Sequence, residues 1–262
     1  MAQKCHVLKL GLVDYEAAWQ IQEDYAAQIA RRERPPTLLL LEHPHTYTFG
    51  RRGHPENLLW DEAELARRGV RVYWVDRGGD VTYHGPGQLV GYPLLPLAPG
   101  GLHAGPDGRL PQADYVGYVR KLEAMLIDAL MNLGVPAEQV EGLTGVWVKS
   151  RISVRRLERQ VSPDNKTGER RNLNSEISYA KLAAIGVKVD VHGVSRHGFA
   201  LNVNPEMGYW DGIIGCGLKE SPSISLADLL RPVPDMQQVM EAVIQAFGET
   251  FGYEMRAVWT QK

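Results

Sequence analysis

Two cysteines, Cys5 and Cys216, are all that 262 residues contain. Two distant thiols make no disulfide framework, and no C-x-x-C or H-x-x-x-H pair supplies a zinc spacing. No metal site and no cofactor are therefore expected. No run of about 18 apolar residues occurs, so no transmembrane helix is expected. The N-terminal MAQKCHVLKLGLVDYEAAWQ lacks an apolar signal core followed by a small-residue cleavage site. The net charge of −2 argues against a general polyanion binder such as a nucleic-acid coat, although a local basic patch stays open. No repeat period is visible. A cytoplasmic, water-soluble protein is the expectation.

What is present centres on Arg77 to Tyr92, RGGDVTYHGPGQLVGY. Six of its first eleven residues are glycine, proline or histidine. A strand pattern, RVYWVD, precedes it and an apolar run, LVGYPLL, follows. Glycine lets a backbone approach a ligand closely, so this loop between two strands reads as the lining of a pocket. It is too long for a tight hairpin turn. No G-K-[ST] follows it and it opens no helix, which disfavours nucleotide phosphate binding.

The apolar content of 44% suffices to bury a sizeable core, in one large domain or two small ones. Val7 to Leu12 reads as a first strand. Asp14 caps a helix to about Arg32 with Ala18, Ile21, Tyr25 and Ile29 on its apolar face. Thr37 to Leu41 is a continuous apolar run and reads as a buried strand. The imidazoles of His43 and His45, in HPHTYTFGRRG, read as part of a solvated loop. Asp61 caps the short helix EAELARR, which Gly69 ends. PLAPGGLHAGPDGRLPQ reads as an irregular surface loop. Tyr115 to Leu133 is the clearest helix, TGVWV a strand, and KLAAIGVKVDV another. A turn at His197-Gly198 leads into FALNV. Ser225 and Asp235 each cap a helix, and FGYEMRAVW closes with a strand. Strands outnumber helices and several follow one another directly, which predicts an α+β chain with a mixed sheet. Lys149 to Ser178 differs in composition, with eight basic and four acidic residues and no aromatic, and reads as an exposed excursion.

Cys216 lies between two glycines in DGIIGCGLKE. A thiolate is a strong nucleophile, and flanking glycines leave backbone N–H groups free to stabilise an oxyanion. Cys5 sits within an apolar strand pattern and reads as a core residue. Lys181 opens an apolar segment, where a desolvated amine can act as a base. His84, His197 and His43 are alternatives for that role. From the residues alone, the chain is an α+β protein with a glycine-lined pocket and a candidate Cys–Lys or Cys–His pair.

RGGDVTYHGPGQLVGYPLL closely resembles the signature of the octanoyltransferases of lipoate biosynthesis. LLLLEHPHTYTFGRRG, TGVWV, KLAAIGVKV and HGFALNVNPEMGYWDGIIGCGL resemble the same family in the same order. The resemblance implies one catalytic domain over residues 1–262, with the mixed-sheet fold of biotin and lipoate protein ligases. It implies octanoyl transfer from octanoyl-acyl carrier protein to a lysine of lipoyl domains, in 2-oxo acid dehydrogenase E2 subunits and glycine cleavage H protein. It implies a monomer that uses no ATP. Cys216 falls on the family's nucleophile and Lys181 on its activating lysine. The acyl-binding segments fall on Arg77, Gly78, Gly79, Asp80, Val81, Thr82, Tyr83 and His84, on Ala184, Ile185 and Gly186, and on Gly198, Phe199 and Ala200. The 149–178 stretch departs from the family pattern as a surface insertion whose net positive charge suits steering toward acidic partner domains. The alternatives are an ATP-dependent lipoate or biotin ligase and a non-catalytic acyl- or carrier-binding module.

Overall fold

The computed structural model describes residues 2–98, 114–149, 179–215 and 222–258. Seven strands form one mixed sheet: β1 (Gln3–Leu12), β2 (Thr37–Glu42), β6 (Gln88–Leu94), β7 (Val146–Lys149), β8 (Tyr179–Val189), β9 (Ser195–Asn202) and β10 (Tyr253–Ala257). Their spatial order is β10-β1-β2-β6-β9-β8-β7. β1 runs parallel to both its neighbours, and every other pair is antiparallel. A smaller sheet places β3 (Thr46–Phe49) between β4 (Arg71–Trp74) and β5 (Val81–His84).

The TLLLL run of β2 shows why no polar residue alternates along the strand. Leu38 and Leu40 face one core, with Leu122, Leu126, Val239 and Val243. Leu39 and Leu41 face the other, with Ala18, Ala26 and Ile29. Helices α3 (Tyr115–Asn132) and α5 (Met236–Phe251) cover the first face, and α1 (Tyr15–Ala30) covers the second. A strand buried on both faces needs apolar side chains throughout. The caps are those the sequence predicts. Asp14, Asp61 and Asp235 accept N–H groups at the starts of α1, α2 (Glu62–Arg68) and α5, and Ser225 sits in a capping box before α4 (Leu226–Leu229).

Three expectations are corrected. Val81 to His84, read as part of a glycine-rich loop, is strand β5, paired antiparallel with β3 from Thr46↔His84 to Phe49↔Val81. The turn expected at His197-Gly198 lies earlier, where the Asp190 carboxylate accepts the N–H groups of His192 and Val194. His197 and Gly198 are interior residues of β9. His43 is not solvated: it is fully buried between Val13 and Tyr92. The expected loop at 96–112 falls mostly, and the 149–178 insertion almost wholly, outside the described residues, as does Cys216. Among the described residues no helix is long and apolar enough to cross a membrane.

Candidate active site

The loop Arg77–Asp80 between β4 and β5 is built from inside. Arg77 is only 7% exposed, and its guanidinium donates to the Thr48 hydroxyl at 2.9 Å and to Gly78 O at 2.9 Å. A buried guanidinium with several acceptors is a rigid anchor. The Gly78 N–H donates to Val187 O at 3.0 Å, which stitches the loop to β8. A side chain at Gly186 would put a Cβ 3.0 Å from both Arg77 Cδ and Gly78 O, so any larger residue would press the two elements apart. Behind the loop, Asp76 takes hydrogen bonds from His197 at 2.8 Å, Arg196 at 3.0 Å and Lys188. Burial opposes its charge, but these donors hold its carboxyl well below the usual range.

The loop forms one wall of a cavity of about 700 Å³. Gly78, Gly79 and Asp80 line it with Lys181, Ile185 and Gly186 of β8, and Gly142 to Thr144, Arg52, His54 and Asn57 are among the other lining residues. Lys181 is 7% exposed. Its Nζ lies 4.6 Å from the centroid of the Trp147 ring, and its stem runs beside Gly145.

Both described ends of the chain around Cys216 are tied to residues of this cavity. The Ile214 N–H donates to Asn57 O at 2.8 Å. On the far side, the Lys181 N–H donates to Pro222 O at 2.8 Å, and the Ile224 N–H donates to Lys181 O at 3.0 Å. Aromatic packing firms the approach to Ile214: Tyr209 stacks on His45 at 3.8 Å and on Tyr83 at 5.4 Å.

Six of the predicted site residues thus meet at the cavity: Lys181, Gly78, Gly79, Asp80, Ile185 and Gly186. Arg77 anchors the loop from behind, and the other described ones lie in strands behind it. Val81 is in the core of the small sheet, and Thr82 pairs with Thr48. The Tyr83 hydroxyl hydrogen-bonds His45, and His84 hydrogen-bonds Gln88 at 2.9 Å. Ala184 and Gly186 pair with Ala200 and Gly198, and Ile185 with Phe199, so these two segments are one stretch of sheet. The Phe199 ring covers Gly91 of β6.

Among the candidate bases, His43, His84 and His197 do not line the cavity, and burial holds all three imidazoles below their ordinary value. Burial also pushes the Cys5 thiol up to about 12, which fits a core residue. Lys181 is the cavity-lining amine. Asn57, Thr144 and Trp147 escaped the residue-level reading. Thr144 and Trp147 were present in TGVWV as a matched stretch without a role, and nothing local marks Asn57.

The model of the lipoyl protein ligase A/B catalytic domain matches residues 14–248. The octanoyltransferase of Chloroflexus aurantiacus is 41% identical over 247 residues, 94% of each chain. That of Solibacter usitatus is 40% identical over 253 residues, 97% of this chain and 96% of the relative. In fold, the chain is similar to a bipartite lipoate protein ligase described with its E2 lipoyl domain, from Thermoplasma acidophilum. That similarity has a TM-score of 0.66 at 15% identity and covers 98% of this chain and 88% of the other. A lipoate-protein ligase A bound with ATP gives a TM-score of 0.60 at 14% identity, over 99% and 90% of the two chains. The chain belongs to the lipoyl protein ligase A/B catalytic-domain family, and within it to the octanoyltransferases.

Proposed function

We propose that this octanoyltransferase takes the octanoyl group of octanoyl-acyl carrier protein onto Cys216 and passes it to a lysine of a lipoyl domain. One observation carries the reading. Lys181 lines a cavity with room for an acyl chain, and the chain that bears Cys216 leaves from Ile214, held by Asn57, and returns at Pro222, held by Lys181 itself.

The chemistry follows from charge and leaving groups. An ammonium beside a thiol favours the thiolate. The Cys216 thiolate attacks the thioester carbonyl, and the carrier thiol leaves with the proton of Lys181. Neutral Lys181 then takes the proton from the incoming lysine amine as it attacks the acyl-cysteine. An amide forms, and the Cys216 thiolate and Lys181 ammonium are regenerated. The thioester exchange is nearly balanced, and amide formation drives the sequence. The donor is already activated, so no nucleotide enters. Gly78, Gly79, Ile185 and Gly186 supply a slot for the octanoyl tail, with Arg77 behind it. The lipoyl domain described with the Thermoplasma ligase supports that class of acceptor.

The test is intact mass after incubation with octanoyl-acyl carrier protein. One octanoyl group on the wild-type protein and none on Cys216→Ser is the expected result. Transfer to an apo-lipoyl domain then proceeds without ATP. Wild-type transfer by Cys216→Ser would sink the covalent route. A requirement for ATP with free octanoate would establish a ligase instead.

A further inference from the structure

The family resemblance puts Asp80 among the acyl-binding residues, yet its carboxylate is spent elsewhere. Oδ1 accepts the backbone N–H of His54 at 3.1 Å, and Oδ2 accepts Nδ2 of Asn57. Both donors lie on the turn that follows β3, where Pro55–Asn57 makes one 3₁₀ turn. Asn57 is buried, and its own carbonyl accepts the Ile214 N–H. The next residues repeat the pairing: Leu58 bridges Ile213, and the Leu59 N–H donates to Gly212 O at 2.8 Å. The turn therefore has two partners. One is the glycine loop, through Asp80; the other is the strap of residues 212–214, whose second following residue in sequence is Cys216.

We propose that Asn57 and Asp80 are a positioning pair that holds the strap of residues 212–214, the described stretch that leads in sequence to Cys216, beside the cavity wall. This rests on Cys216 being the acyl-bearing nucleophile. The physical basis is that the Asn57 amide and its carbonyl belong to one short, buried residue. A change at Nδ2 turns that residue, and with it the acceptor that holds Ile214. Small misplacements at a reacting centre carry large rate penalties, up to about 10²-fold for about 1 Å. The glycine walls of the cavity are stitched separately, through Gly78 and Arg77, so the main effect falls on the acylation step.

The test is a reciprocal exchange. Asn57→Asp sets two carboxylates face to face. Asp80→Asn combined with Asn57→Asp restores one donor and one acceptor, and the amide oxygen then present at position 80 can still take the His54 N–H. The rate of acyl-enzyme formation is read by quenched-flow mass spectrometry. The alkylation rate of Cys216 by iodoacetamide is read on its tryptic peptide. Asn57→Asp is expected to lower the kcat of acylation by about 10- to 100-fold with little change in KM. It also changes the alkylation rate severalfold, and the exchange variant recovers both. An exchange variant as impaired as Asn57→Asp, or an Asn57→Asp enzyme with wild-type kcat, overturns the proposal. If Asn57→Asp does not fold, Asn57→Ala replaces it: it removes the donor without adding charge, and unchanged kcat and alkylation there would be equally decisive. The alkylation rate needs no acyl substrate. A failure of the octanoyl reading would appear as absent acylation of the wild-type protein, whereas a failure of the pair would appear as loss without rescue.

Discussion

Trp147 and Lys181 are register partners across β7 and β8, and the indole ring lies against the Lys181 ammonium at 4.6 Å. The strands shift register between Val146 and Trp147, next to this contact. Trp147 is fully buried, so the indole face is a fixed wall beside the long Lys181 side chain. A desolvated cation–π contact is worth about 2 kcal/mol. Trp147→Leu is expected to slow acyl transfer roughly 10-fold or more, by removing the ring face that the amine lies against. Trp147→Phe keeps a ring face and loses less. Transfer rates for the two variants, compared at equal folded fraction, check this; equal rates would show that the ring face does not matter.

Gly145 links the same site to the core. It has φ +118°, and a Cβ there would lie 2.6 Å from Ala183 O and 3.4 Å from Lys181 Cε. Its N–H donates at 2.9 Å to Glu123, a carboxylate with no exposure that also accepts from Arg120 at 2.6 Å. Gly145→Ala therefore meets both strain and a backbone clash, with an expected cost of about 1–3 kcal/mol. Glu123→Ala strands the Gly145 N–H and opens a small void, at a similar cost of about 1–3 kcal/mol. Urea unfolding midpoints measure both, and a midpoint unchanged from wild type for either one contradicts the account of that residue.

The buried imidazole of His43 gives the protein a stability that depends on pH. Nδ1 lies 2.7 Å from Val13 O, so it carries the proton, and Nε2 accepts from the Tyr92 hydroxyl at 2.7 Å. Burial is the main cause that lowers its pKa to about 4. An unfolded histidine titrates near ~6.5, so the unfolded chain binds the extra proton first as pH falls. The contribution is complete above about pH 6.5 and is lost as pH drops toward about 4, amounting to roughly 3 kcal/mol. His84 and His197 shift in the same direction. His43→Gln, which cannot titrate, is expected to flatten the wild-type slope in that window by up to about 1.4 kcal/mol per pH unit. Parallel slopes for the two proteins would contradict a neutral, buried His43.

Much of the fold was legible because local and global signals agree. The caps of α1, α2 and α5, the TLLLL run and the α3 periodicity each point to the element that forms. β5 was hidden because glycines bracket Val81–His84 on both sides, and composition read loop where a paired strand lies. β9 was shortened because His197 takes φ +56° inside a strand, a conformation that Asp76 and Gln22 hold by hydrogen bonds. The Asp190 turn was readable, since aspartate three residues before glycine is common turn chemistry. The resemblance singles out Lys181 and the glycine loop, and the fold brings them to one cavity. Asn57, Trp147 and Glu123 came to the site from three other segments, and only the folded sheet brings them within reach. Asp80 shows the reverse case, a motif residue whose side chain serves the scaffold.

Ile185 is expected to set the length of acyl chain that the cavity accepts. It is half-buried on β8, it lines the cavity beside Gly186, and it packs against the main core. Each methylene buried is worth about 0.8 kcal/mol, so an octanoyl donor gains about 3 kcal/mol over a butanoyl one, roughly 10²-fold in kcat/KM. Ile185→Trp fills the slot from the β8 side, where the neighbouring Gly186 offers no side chain to make way. The variant is expected to lose most of its preference for octanoyl over butanoyl, while butanoyl transfer stays close to wild type. The ratio of kcat/KM for the two carrier thioesters is the measurement. A variant that keeps the full octanoyl preference would mean that the acyl tail runs along another wall, and Gly142 to Thr144 would be the next place to narrow.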